Sequence, residues 1–179
     1  MTDIPHDQRL TARVHAIWKK LAKTGFPRRS QIDPKDFGAD WPSCLMIDID
    51  PVTSLSRFSY VGNALRDPTW PTFDRQSVSE CLEGTLLELI AREIARVTAK
   101  KKPTNCSGSA QHDNNSILYR TVLLPLSETG ERIDGLLAAI SYREVSIEER
   151  SDSVFAAAHR TEPLVASKSG QSSNGAANE

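Results

Sequence analysis

The chain has 179 residues, 39% of them hydrophobic and 25% charged, with a formal net charge of -1. That length suits one domain with a tail, and the near-neutral balance argues against a general nucleic-acid binder. The three cysteines, Cys44, Cys81 and Cys106, are odd in number and form no CxxC pair. A disulfide framework and a structural zinc site are therefore not expected, and a reducing, cytoplasmic setting is. No apolar run is long enough for a membrane span, and residues 1–25 hold no signal-peptide core.

The charge is unevenly spread. Residues 1–30 carry seven basic side chains (Arg9, Arg13, Lys19, Lys20, Lys23, Arg28 and Arg29) against Asp3 and Asp7. Leu10, Val14, Ile17, Trp18 and Leu21 recur at three- and four-residue spacing, which predicts an amphipathic helix over residues 6–24. Thr2 or Asp3 would cap it, and Gly25 and Pro27 would stop it. A lone helix of this length is marginal in water, so its apolar stripe needs a sheet, a partner or a second copy.

Residues 27–41 read as a connection, with a short helical turn at 34–37 capped by Asp33. A first strand is expected over 44–49 and a second over 57–61. Strict alternation would put Phe58 and Tyr60 on one face of the second, and Arg57, Ser59 and Val61 on the other. Gly62 ends it, and a short helical turn follows at 63–66. Leu82, Leu86, Leu89, Ile90, Ile94 and Val97 then mark a long helix over about residues 80–101. Lys100, Lys101 and Lys102 suit the negative end of its dipole, and Pro103 forbids continuation.

A weakly alternating strand over 104–111 and a turn at 113–115 lead into the strongest hairpin signal. Residues 117–126 and 132–143 are apolar strand-like runs around a polar turn containing Gly130. Residues 166–179 hold no large apolar side chain, and a largely disordered tail over 146–179 is expected. The fold class is α+β, with a five-stranded antiparallel sheet and one long helix across a face. The divisions are an N-terminal amphipathic helix (1–26), a main domain (27–145) and the tail.

Several short motifs stand in a set order. They are Trp18, Pro27-Arg28-Arg29-Ser30 with Ile32-Asp33-Pro34, Arg57-Phe58-Ser59-Tyr60-Val61-Gly62, and Leu124-Pro125-Leu126 before Gly130 and a return strand over 133–142. Across residues 8–145 this order resembles the PAS domain family, and in particular short bacterial single-domain PAS proteins. The resemblance implies a cytoplasmic sensory or signalling module without enzymatic activity. Having no transmitter domain in this chain, it would act through a partner protein. It also implies a small ligand between the long helix and the sheet. Phe58, Tyr60, Trp70, Phe73, Leu86, Ile90, Ile94 and Leu123 are the candidate cavity residues. Leu10, Val14, Ile17, Trp18 and Leu21 are the candidate partner or homodimer interface. The alternatives are a ligand-free adaptor or dimerisation scaffold and, more remotely, a small enzyme.

Catalytic and metal chemistry find little support. Asp48 and Asp50 are two apart, but acids before Pro51 usually end a strand and start a turn. His6, His15, His112 and His159 form no i,i+4 pair and no Cys/His cluster, and the long helix carries no histidine for haem. Asn105-Cys106 matches a flavin-reactive motif only as a dipeptide and falls after the long helix. The glycines form no phosphate loop, and Ser127 and Ser141 lack a nucleophile elbow. No catalytic residue, metal or cofactor is expected. The basic cluster at 19–29 lacks interleaved aromatics, so no nucleic-acid partner is expected either, and no membrane.

Overall fold

A computed structural model describes residues 9–66, 76–81, 85–112 and 115–146. The chain divides into two compact units, Met1–Ile147 and Glu148–Glu179, and everything described lies in the first. Helix α1 (Leu10–Leu21) is followed by α2 (Pro34–Phe37), strands β1 (Cys44–Asp48) and β2 (Arg57–Val61), helix α3 (Leu86–Lys100), then β3 (Thr104–His112), β4 (Asn115–Leu126) and β5 (Gly135–Ser146). The five strands form one antiparallel sheet in the order β2-β1-β5-β4-β3. The α+β expectation, with its two early strands, long helix and closing meander, matches this architecture. The expected tail and the 67–75 segment lie outside the described residues.

Local chemistry sets the boundaries. Asp33 caps α2 by accepting from the Lys35 amide, as its position promised. α3 starts later than its apolar stripe suggests. Thr85 is extended and its hydroxyl accepts from the Glu88 amide, so Thr85 is the N-cap. Residues Val78–Glu80 form a separate 3-10 turn capped by Ser77. β5 begins at Gly135 rather than 132, because the Asp134 amide and the Leu126 carbonyl close the hairpin at 3.2 Å. Gly62 follows β2, and only a glycine fits there: a Cβ would sit 2.1 Å from the Pro42 carbonyl oxygen.

Each face of the sheet is covered by a different helix. α3 lies over a cluster that includes Leu45, Ile47, Phe58, Val61, Leu123, Leu136, Ala138 and Ile140. α1 lies over Cys44, Met46, Val122, Leu124, Leu137 and Ala139. Neighbouring residues of β1, β4 and β5 alternate between the two clusters, so the sheet is the shared wall of two cores.

The Pro27–Ser30 segment is a clasp. The Ser127 amide donates to the Pro27 carbonyl at 3.0 Å. The Arg29 amide donates to Glu128 Oε1 at 2.9 Å, and its guanidinium holds Asp48 and Ser59. It ties the connection after α1 to β1, β2 and the β4–β5 turn at one end of the sheet.

Candidate functional site

The α3-covered face is the region the cavity expectation concerns. One row crosses all five strands there: Val61, Leu45, Ala138, Leu123 and Thr104. The next row is Cys106, Thr121 and Ile140. Above them α3 turns Leu86, Leu87, Ile90, Ile94 and Val97 inward, all buried. Phe58, Leu86, Ile90, Ile94 and Leu123 thus lie in one cluster. Trp70 and Phe73 lie outside the described residues.

Tyr60 is on the other side of the sheet, which corrects the alternation expected for β2. The β1–β2 register slips between Met46 and Ile47, so Met46 faces Tyr60 while Ile47 faces Phe58. Ser59 is the extra residue of a bulge, and a bulge reverses the side-chain phase beyond it. Phe58 and Val61 therefore share the α3 face. Tyr60 stacks on Trp41 with ring centroids 4.4 Å apart, and its hydroxyl donates to the Trp41 carbonyl at 3.2 Å.

Thr121 is a residue that the apolar patterning passed over. Its residue is only 2% exposed, and its hydroxyl has no hydrogen-bond partner. A polar group at an inward position of an otherwise apolar strand was its sequence signal. Beside it, Cys106 donates to Glu93 at 3.4 Å and lies 2.8 Å from the Arg96 guanidinium. Burial pushes the Cys106 thiol up, Glu93 adds to this, and Arg96 only partly offsets it. The thiol stays protonated near neutral pH, which is wrong for a nucleophile.

The candidate interface stripe on α1 is used within the chain. Val14 is fully buried and Trp18 is 7% exposed, both in the cluster beneath α1. Trp18 Nε1 donates to the Pro125 carbonyl at 2.9 Å. Pro125 lies past the end of β3, whose first residue pairs with Leu123, so a residue without an N–H is tolerated there. Arg13 forms a two-point pair with Asp40, 2.5 and 2.7 Å. As free partner contacts Val14 and Trp18 are thus replaced by intramolecular ones. Leu10, Ile17 and Leu21 are half-buried at the rim.

Other chemistry is structural. Asp50 accepts from the Val52 amide at 2.8 Å, the turn expected after β1. His15 packs against Trp18, ring centroids 6.0 Å apart. Among the described residues no cluster of three His, Cys, Asp or Glu side chains is arranged to hold a metal. No helix among them is long and apolar enough to cross a membrane.

No family model matches the sequence, and no curated protein matches it. Among solved structures the chain is similar to the PAS domain from Bordetella pertussis BvgS. Identity is 13% and the TM-score 0.35, over 65% of this chain and 85% of that one. So distant a likeness bears on neither ligand nor partner. The PAS-like character of the fold lies in its own topology, with two early strands beside the last one, a long helix across the sheet, and a closing meander. A fold alone does not assign a function.

Proposed function

We propose that this protein is a non-enzymatic PAS-type sensory or signalling module that acts through a partner protein. Its input is a small, largely apolar ligand in the layer between α3 and the sheet. Phe58, Leu86, Ile90, Ile94 and Leu123 supply the apolar wall, with Trp70 and Phe73 added from the sequence reading. The observation that carries this is the buried Thr121 hydroxyl without a partner. An orphaned polar atom costs stability, about 1–3 kcal/mol, and is retained where something else satisfies it. Output passes through the sheet to α1, because alternate residues of β1, β4 and β5 serve both cores. In a homodimer, Leu10, Ile17 and Leu21 at the rim of α1 provide the contact.

A ligand-free scaffold is the second reading. It is favoured by the complete burial of Ile90, Ile94, Leu123 and Ala138 in the same layer. Native mass spectrometry of freshly purified protein separates the two. The sensor reading expects a bound small molecule that is lost in Thr121→Val, and slower amide exchange in α1 when it is bound. A clean unliganded mass, with no stabilisation across a panel of apolar metabolites, overturns the sensor and leaves the scaffold.

A further inference from the structure

The two edges of the sheet are guarded differently. β2, at one edge, is five residues long and carries Arg57 and the Ser59 bulge. It is also partly covered. The Phe58 amide donates to the Gln76 carbonyl at 3.0 Å and the Val78 amide to the Ser56 carbonyl at 2.9 Å, with a bridge between Arg57 and Ser77. β3, at the other edge, is nine residues long and pairs with β4 throughout without a shift in register. It holds no Lys, Arg, Asp, Glu or Pro. Charges, prolines, bulges and covering segments are the usual guards against one sheet edge joining another, and β3 has none of them among the described residues.

The ladder decides which groups this edge presents. The Ile49 amide donates to the Asp134 carbonyl at 2.9 Å, in register with the β1–β5 pairs. Hydrogen-bonded pairs alternate along an antiparallel ladder, and a residue bonded to one neighbouring strand turns away from the other. Counted across the sheet, Leu137 and Ala139 then bond to β4, and Ile117, Tyr119 and Thr121 bond to β3. The backbone groups of Asn105, Ser107, Ser109 and Gln111 therefore point outward, and none has a backbone partner among the described residues. Gly108 is the midpoint of the strand. The Tyr119 ring takes the place of its missing side chain, with atoms 3.1–3.3 Å from where a Cβ would stand.

We infer that β3 pairs antiparallel with β3 of a second copy of this chain, about a two-fold axis at Gly108. The edge is self-complementary, as a two-fold contact requires. The axis sets Ser107 opposite Ser109 of the second copy, twice over, and both are small, uncharged and exposed. Gly108 meets Gly108 in a pair of the closer, non-hydrogen-bonded kind, with Cα atoms about 4.5 Å apart. The missing side chains leave room there for the two Tyr119 rings to meet across the axis. Four outward amides from each copy make eight hydrogen bonds, within the range of about ten, give or take five, of a specific interface. An unrelated peptide would draw on the backbone groups but not on this symmetry. The contact uses neither the α3 layer nor the rim of α1, so its failure leaves the sensor reading intact.

The test is sedimentation velocity of the full chain over a concentration series, with amide exchange read residue by residue below and above the midpoint. The expected result is a monomer–dimer equilibrium. The amides of Asn105, Ser107, Ser109 and Gln111 should exchange at least about tenfold more slowly in the dimer, while those of Cys106 and Gly108 are protected throughout. Ser107→Glu combined with Ser109→Glu sets carboxylates opposite one another at both serine pairs and should weaken the dimer about tenfold. Ser107→Lys with Ser109→Lys should do the same, and mixing the two double variants should restore a dimer. The exchange pattern is read on the unaltered chain, so misfolding of a variant cannot mask the outcome. A chain still monomeric at millimolar concentration overturns the inference and leaves the edge to a different strand. Slow exchange of the four outward amides in the monomer also overturns it, because the chain's own residues then cover the edge. A dimer that survives both double variants and is lost in Leu10→Ser overturns it in favour of α1.

Discussion

The two faces of the sheet are held by different physics. The α3 face is closed by side-chain burial, with a capped helix laid over rows of aliphatic residues. The α1 face adds directional contacts: the Trp18–Pro125 hydrogen bond, the Arg13–Asp40 pair and the Trp41–Tyr60 stack. α1 itself has no side-chain N-cap. A helix held by burial tolerates sliding and repacking, whereas one held by directed contacts is either docked or released. On the proposed sensor reading, α3 would be the element that accommodates and α1 the element that reports.

The sharpest way to break the comparison is Trp18→Ala. Removing this side chain costs about 3–5 kcal/mol. Amide protection in α1 should collapse while that of α3 persists in mild urea. If both helices lose protection together, the faces are one cooperative unit and the contrast is wrong. Trp18→Phe isolates the hydrogen bond to Pro125 and should cost about 1–2 kcal/mol of the larger figure.

Gly62→Ala strikes the junction that both faces share. Its new Cβ meets the Pro42 carbonyl at 2.1 Å and the Cys44 carbonyl at 2.8 Å. Backbone cannot yield as a side-chain tip does, so a loss of about 2–3 kcal/mol is expected in denaturant melts. Unlike Trp18→Ala, it should lower protection in α1 and α3 equally.

Alkaline pH probes the two cores through their thiols. Burial, then Asp40, pushes Cys44 on the α1 face up to about 12. Burial, then Glu88 and Glu80, pushes Cys81 beside the α3 core up to about 12. In both cases the folded state holds its proton to higher pH than the unfolded chain. Their stability contribution is complete below the ordinary thiol value near 9 and is lost as pH rises from there toward 12. Each thiol adds a slope of at most about 1.4 kcal/mol per pH unit in that window. Urea midpoints taken across the window should flatten in Cys44→Ala and, separately, in Cys81→Ala.

Much of the α3 face was legible in sequence because its signals are local. The Leu86, Ile90 and Ile94 stripe is periodic, and β2 is framed by Ser56 and Gly62. Even the late start of α3 is written in Thr85 and Glu88, a capping spacing hidden by the apolar stripe before it. The α1 face resisted for the opposite reason. Trp18 meets a carbonyl 107 residues away. The Ser59 bulge, which sends Tyr60 across the sheet, has neither glycine nor proline to announce it. Pairing between distant segments decides these features, and one-dimensional periodicity does not contain it.

The cap and the orphan hydroxyl give the finest tests of the α3 side. Thr85→Ala removes the α3 cap and should cost about 1 kcal/mol, with no effect on α1 exchange. Thr121→Val should act in the other direction. It keeps the shape of the side chain and removes a buried oxygen that has no partner. The free protein should gain about 0.5–1 kcal/mol, read as a higher urea midpoint, because the desolvation cost of the hydroxyl disappears. A residue that weakens the resting fold yet is kept in its core is the pattern expected of a site awaiting a ligand. If Thr121→Val is instead destabilising, the hydroxyl is already satisfied within the fold, and the α3 face returns to being plain packing.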